Sequence, residues 1–299
     1  MSECKLNTAP KDGSCFSKET IEKFANILNT EKNITTIKNK LKCENDSCVL
    51  ATIPKLNDDE RHKLDNKFLK PYTQSYDHNY WLNNTELDSC MMQFRDSFSG
   101  FGYGFIHMVD KVMYSPVNNF ILDYKVFPVT EINFAEEFRP TFEGKPRNSN
   151  YKISTINNTP LTSYGVIFNT DTSKGSGQHW YAIYISTDRK NKCGERMINI
   201  ELFNSSGQDI DNCEFNEFWT SVACDIQDKL NIDCKFSLVS KIQHQGDKTG
   251  NCGSYSMFYI FSRLNGAIVE DFDKQGKVIS DHSMRLFREF VFRKDNQIL

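Results

Sequence analysis

Between residues 164 and 203 the chain carries three short apolar runs, "YGVIFN" (164–169), "HWYAIYIS" (179–186) and "RMINIELF" (196–203), each rich in Ile, Val, Phe or Tyr. Runs of this length and composition read as β-strands, and together they predict the core of a sheet. Helical spacing lies on either side. "SKETIEKFANIL" offers Ser17 as an N-cap, with Ile21, Phe24, Ile27 and Leu28 on one face. Asn84 is placed to cap a helix carrying Leu87, Cys90, Met91, Phe94 and Phe98, with Trp81 and Leu82 just before it. Beyond the strands, Phe215, Phe218, Trp219, Val222 and Ile226 form one stripe, and "CKFSLVS" (234–240) returns to strand. A last helix is expected from about Ser280, with Leu286, Phe287 and Phe290 inward. Residues 29 to 79 are rich in Lys, Asn, Asp and Glu and read as short helices and loops of a small polar subdomain. The expectation is an α+β chain of two parts, a mainly helical 1–78 and a core of 79–299.

At 299 residues and 38% hydrophobic composition the chain can bury a full core. No apolar stretch approaches a membrane span, and "MSECKLNTAP" lacks the basic start and apolar block of a secretory signal, so a soluble, intracellular protein without membrane insertion is expected. A formal charge of −3 does not indicate nucleic acid as a partner. Ten cysteines would build a disulfide framework only in an oxidising compartment, so free thiols are expected. Only Cys43 and Cys48 are close together, which argues against a structural zinc site; neither metal nor cofactor is expected.

The segment "HQGDKTGNCGSYSMFYIFSRL" (244–264) passes from a polar, glycine-marked loop into a run that is apolar nearly all round. It reads as a buried helix with Cys252 at its start, where the positive end of the helix lowers a thiol's pKa. Gly250 would let the chain turn sharply before it. A buried structural cysteine is the plain alternative. A nucleophilic thiol needs a base, and His179 opens an apolar strand directly after the glycine-containing "TSKGSGQ", at a sheet end where a cleft can form. His107 and His244 are not excluded. Asn204, in "FNSSG", leaves the next strand on the same side if the two pair antiparallel, so its amide oxygen can accept the imidazole N–H; otherwise the motif is a polar turn. Gln245, seven residues before Cys252, could join the Cys252 backbone N–H in binding an oxyanion.

In that order, His179-Trp180, Asn204, Gln245 and Cys252-Gly253 resemble the His, Asp/Asn/Glu, Gln, Cys series of the adenain and SUMO-protease cysteine peptidases. "WLNNT" (81–85) is similar to a segment that precedes a helix in SUMO proteases. "GVIFNTDTSKGSGQHWYAIYI", "IELFNSSG" and the Cys252 segment are similar to the polyprotein-processing proteases of African swine fever virus and related large DNA viruses, as are "SCFSKETI" and "CENDSCVL" near the amino terminus. The resemblance implies an adenain-like, papain-like core with a mixed sheet flanked by helices, plus an amino-terminal arm. It implies a thiol endopeptidase that cuts structural polyproteins at Gly-Gly-Xaa-like sites during virion maturation, in the host cytoplasm and the virion. By position, Trp81 and Trp180 would clamp a thin glycine-rich substrate, whereas Trp219 belongs to the core. Asn204 stands where many members carry a carboxylate. Three rivals share the pattern: a deconjugase of SUMO- or ubiquitin-like modifiers, an acetyltransferase, and a non-catalytic scaffold of the same fold.

Overall fold

The computed structural model describes residues 3–6, 8, 13–77, 79–104, 107–108, 129–148, 150–171, 175–208, 213–239, 242–246, 248–274 and 277–294. The chain divides into two units, one of Met1–Tyr76 with Arg288–Leu299 and one of Asp77–Phe287. His78, at the boundary expected from sequence, lies outside the described residues.

The first unit begins with α1 (Lys18–Leu28), capped by Ser17, whose hydroxyl accepts from Thr20 N–H. Three short helices follow, α2 (Ile34–Leu41), α3 (Asp46–Thr52) and α4 (Asp58–Phe68), capped by Asn33, Asn45 and Asn57. The asparagines that make this stretch look like loop in composition are therefore its helix starts. Phe16, Phe24, Ile37, Val49 and Phe68 close a core of its own. Its four cysteines are not free thiols: Cys4 is bonded to Cys15 and Cys43 to Cys48. The expectation from compartment fails here because a small core with few large apolar residues gains from covalent closure. Strand β1 (Tyr72–Thr73) ends the amino-terminal run of this unit.

The second unit starts with α5 (Asn84–Ser97). Its cap is Asn83, not Asn84: Asn83 accepts from Glu86 N–H while the Glu86 carboxylate takes Asn83 N–H, a reciprocal pair that Asn84 could not make. Strands β2 (Phe101–Tyr103) and β3 (His107–Met108) and helix α6 (Phe134–Glu143) come next. Then follow β4 (Ser163–Asn169), β5 (Trp180–Ser186), β6 (Ile198–Phe203), α7 (Cys213–Leu230), β7 (Cys234–Val239), α8 (Cys252–Leu264) and α9 (Asp281–Val291). The sheet order is β2-β4-β5-β6-β7, with β3 also on β4. It is mixed: β4 with β5 and β5 with β6 are antiparallel, whereas β2 with β4 and β6 with β7 are parallel.

The three central strands are buried along their whole length. Tyr164, Val166, Phe168, Tyr181, Ile183 and Ile200 face one core with α6 and α7, including Trp219, which is fully buried. Residues between them face the opposite side, where Gly165 lies against Met91 of α5 and Ile260 of α8. Burial on both faces explains why the runs are continuously apolar rather than alternating. In α9 the inward residues are Met284 and Phe287, the latter against Phe258 and Phe261, while Leu286 is 51% and Phe290 44% exposed. The expected inward face of this helix is thus wrong at two of its three positions. Finally β8 (Arg293–Lys294) pairs in parallel with β1, so the chain end belongs to the first unit. No helix among the described residues is long and apolar enough to cross a membrane.

Candidate active site

Helix α8 begins at Cys252 and is lined almost all round by buried residues, among them Tyr255, Met257, Tyr259 and Ile260. The Cys252 side chain is 1% exposed and outside any disulfide. Its place in the first turn sets it at the positive end of the α8 dipole.

His179 stands one residue before β5 and Asn204 one residue after β6. Because these strands run antiparallel, the entry of one lies beside the exit of the other, and His179 Nε2 reaches Asn204 Oδ1 at 2.7 Å. The orientation of the Asn204 amide is set by its other bonds. Its Nδ2 donates to Gln208 O at 2.7 Å, and its Oδ1 accepts from Ser206 N–H at 3.1 Å. An oxygen facing a backbone donor must also face the imidazole, so Nε2 carries the hydrogen and Nδ1 the lone pair. Burial pushes the His179 pKa below the ordinary imidazole value, and the Asn204 bond pulls it back up in part. The Asn204 bond thus leaves Nδ1 as the acceptor nitrogen of the neutral ring form.

Gln245 lies across the same corner. Its backbone N–H and that of His244 donate to Ser205 O, the Ser205 hydroxyl donates to Gln245 Oε1 at 3.0 Å, and Gln245 Nε2 donates to Thr249 O at 2.5 Å. One Nε2 hydrogen remains for another acceptor. His244 plays a different part, since its Nε2 donates to Phe272 O at 3.0 Å and its Nδ1 accepts from Ile279 N–H at 3.2 Å. With both nitrogens engaged by backbone, this ring is a buried strut rather than a base. His62 and His282 are exposed, and His107 is in β3.

The two tryptophans flank the cysteine through glycines. A Cβ on Gly250 would overlap the Trp81 indole, and one on Gly253 would sit 3.3 Å from Trp180 Cδ1. Gly250 does not adopt a left-handed φ. Its glycine is required by the approach of Trp81, not by the sharp turn expected from sequence. Trp180 is buried, whereas Trp81 is 45% exposed. A closed circuit results: His179 to Asn204, Ser205 to Gln245, Gln245 to Thr249, and Gly253 back to Trp180, the neighbour of His179. All six residues singled out from sequence lie on or against it. Ser205, Ser206 and Asp281, which also shape it, were not singled out. "NSSG" shows only a turn, and Asp281 is 29 residues past the cysteine with no motif around it.

Over 98% of its length the chain is 27% identical to the cysteine protease of African swine fever virus, Badajoz strain, covering 95% of that protein. It is 26% identical, over the same shares, to a protein of the Warthog/Namibia isolate named as a SUMO-1 cysteine protease. The fold matches the crystal structure of the African swine fever virus protease with a TM-score of 0.68 at 22% identity, covering 98% of this chain and 96% of that one. No protein-family model matches the chain.

Proposed function

We propose that this chain, a SUMO-protease-like cysteine protease related end to end to a viral enzyme, is an endopeptidase that cuts viral structural polyproteins after small residues during virion maturation. The circuit of contacts that joins His179, Asn204, Gln245 and the start of α8 is the observation that carries the reading. Cys252 Sγ attacks the scissile carbonyl carbon, and its proton passes to His179 Nδ1. The remaining Nε2 hydrogen of Gln245 and the Cys252 N–H bind the oxyanion. As the C–N bond breaks, His179 returns the proton to the departing amine and a thioester remains. Water then adds to the thioester, giving its proton to His179, and the acid leaves as the thiol is restored. Asn204 keeps the ring in the tautomer that makes this possible.

Trp81 and Trp180 form the slot for the substrate's small residues, because glycines pass between flat indoles where branched side chains do not. The enzyme acts at viral assembly sites in the host cytoplasm and in the particle. A second reading, removal of a ubiquitin-like modifier, is supported by the relative named for SUMO-1 and would use the same slot. The test is to incubate the wild type and Cys252→Ala with Gly-Gly-Xaa peptides and with an intact modifier conjugate, mapping products by mass spectrometry. Cleavage after small residues in peptides, absent in Cys252→Ala, is expected. Turnover of the conjugate alone would favour deconjugation, and equal turnover by Cys252→Ala would overturn both.

A further inference from the structure

We propose that Asp281 is a positioning residue for this reaction: from the first turn of α9 it holds the segment between Gln245 and Cys252 and draws the N-cap side chain of α8 away from the helix end at which the thiol reacts. The inference rests on the cysteine-protease reading above.

Helices α1 to α6 each have an N-cap side chain, Ser17, Asn33, Asn45, Asn57, Asn83 or Asn133, that accepts a hydrogen bond from its own first turn. Helix α8 has an equally capable cap in Asn251, yet that bond is not made. Asn251 is in the right-handed region, at φ −86° and ψ −2°, and its Nδ2 donates to Asp281 Oδ1 at 2.8 Å. Its Oδ1 is buried without a hydrogen-bond partner. An unsatisfied amide oxygen in a fully buried side chain is uncommon away from functional sites. What the arrangement achieves is to keep a competing acceptor off the turn whose N–H groups and dipole are to serve Cys252 and the oxyanion.

The same carboxylate holds the loop at two further points. Asp281 Oδ2 accepts from Gly246 N–H at 3.1 Å, and Oδ1 accepts from the Thr249 hydroxyl at 3.0 Å. Gly246 follows Gln245, and Thr249 supplies the carbonyl on which the Gln245 amide rests. One side chain thus governs the residue after the oxyanion donor, the residue that orients it and the residue before the nucleophile. An ionised carboxylate can do this because it only accepts; an amide in its place would present a donor to a donor. None of these bonds is made by Trp81 or Trp180 themselves.

The test uses the full chain and a fluorogenic Gly-Gly-Xaa peptide, with active sites counted by an irreversible thiol-reactive peptide analogue. Asp281→Asn is expected to lower kcat per titrated site about 10- to 100-fold, with KM changed less than about threefold, the scale of loss seen when a catalytic group is displaced by about 1 Å. Asp281→Glu should recover part of the loss. If Asp281→Asn yields no folded protein, Thr249→Val, which removes one loop donor to the carboxylate at similar volume, should lower kcat per site by about three- to tenfold by the same argument. Fewer titratable sites with wild-type kcat per site, in either variant, would make Asp281 a structural residue and overturn the proposal. Wild-type turnover by Cys252→Ala would instead overturn the protease reading on which it rests.

Discussion

Asn204 and His179 form a pair whose chemistry can be tuned in opposite directions by one side chain. Burial holds the His179 pKa below its ordinary value, and the neutral amide of Asn204 offsets that only in part. Asn204→Asp would set a carboxylate against Nε2, favour the imidazolium and move the acid limb of kcat/KM upward, by roughly one pH unit or more on the usual effect of an adjacent opposite charge. Asn204→Ala removes the contact that raises the pKa, so the limb should shift down, while kcat falls about 10- to 100-fold as the ring loses its orientation. Full pH profiles of the three enzymes check this, and limbs that coincide would show that His179 is not the group being titrated. The His179–Asn204 pair was readable in the sequence because each is a polar residue at the end of an apolar run, and such positions become neighbours once the runs are antiparallel strands. Asp281 was not readable, since its partners are brought to it only by the return of α9.

At the scale of elements, the geometry of the proposed site depends on α8 staying in register with β6, because α8 begins at Cys252, the proposed nucleophile, and β6 ends one residue before Asn204. The lock lies at the far end of the helix. Arg263, in the last turn of α8, meets Glu201 of β6 through Nε to Oε2 at 2.8 Å and Nη2 to Oε1 at 3.0 Å, with both side chains 1% exposed. Tyr259 adds its hydroxyl to the same carboxylate at 2.8 Å, and Arg263 also reaches Asp188 just after β5. Arg263→Met leaves Glu201 buried without its cation and should cost about 3–5 kcal/mol, whereas the double change with Glu201→Met should recover most of it, since an apolar pair of similar size carries no desolvation penalty. Thermal unfolding of the three variants is the check, and a Tm for Arg263→Met within about 2 °C of wild type would correspond to less than about 1 kcal/mol and contradict it. The periodic elements around this lock were legible, as strands β4 to β6 and helices α5, α7 and α8 show. Helix α6 was not, because Pro140 lies inside it and reads as a breaker. The face of α9 is hidden from a hydrophobic pattern because its buried positions Met284, Phe287, Arg288 and Val291 include an arginine, which no apolar stripe reveals.

For the molecule as a whole, the cysteines divide into two sets with opposite redox requirements. Pairing was beyond reach of the sequence, since ten scattered cysteines give no reason to prefer particular bridges and the proximity of the four in the first unit depends on how α1 to α4 pack. In the first unit the Cys4–Cys15 and Cys43–Cys48 bridges close segments of 11 and 5 residues around a small core. Loop entropy alone assigns each about 2–3 kcal/mol. In the second unit Cys252 is a free cysteine and must stay so to act as the proposed nucleophile. A reductant should therefore sustain or raise peptide hydrolysis while loosening the first unit. Hydrogen exchange followed by mass spectrometry should show faster exchange on reduction in residues 13–70 and unchanged protection in the strands and α8 of the second unit, with both bridged peptides recovered from a non-reducing digest. If exchange in 13–70 is indifferent to reductant, the bridges do not stabilise that unit. If hydrolysis falls on reduction in step with exchange there, catalysis depends on the oxidised arm as well as on the thiol, and the two sets of cysteines are coupled.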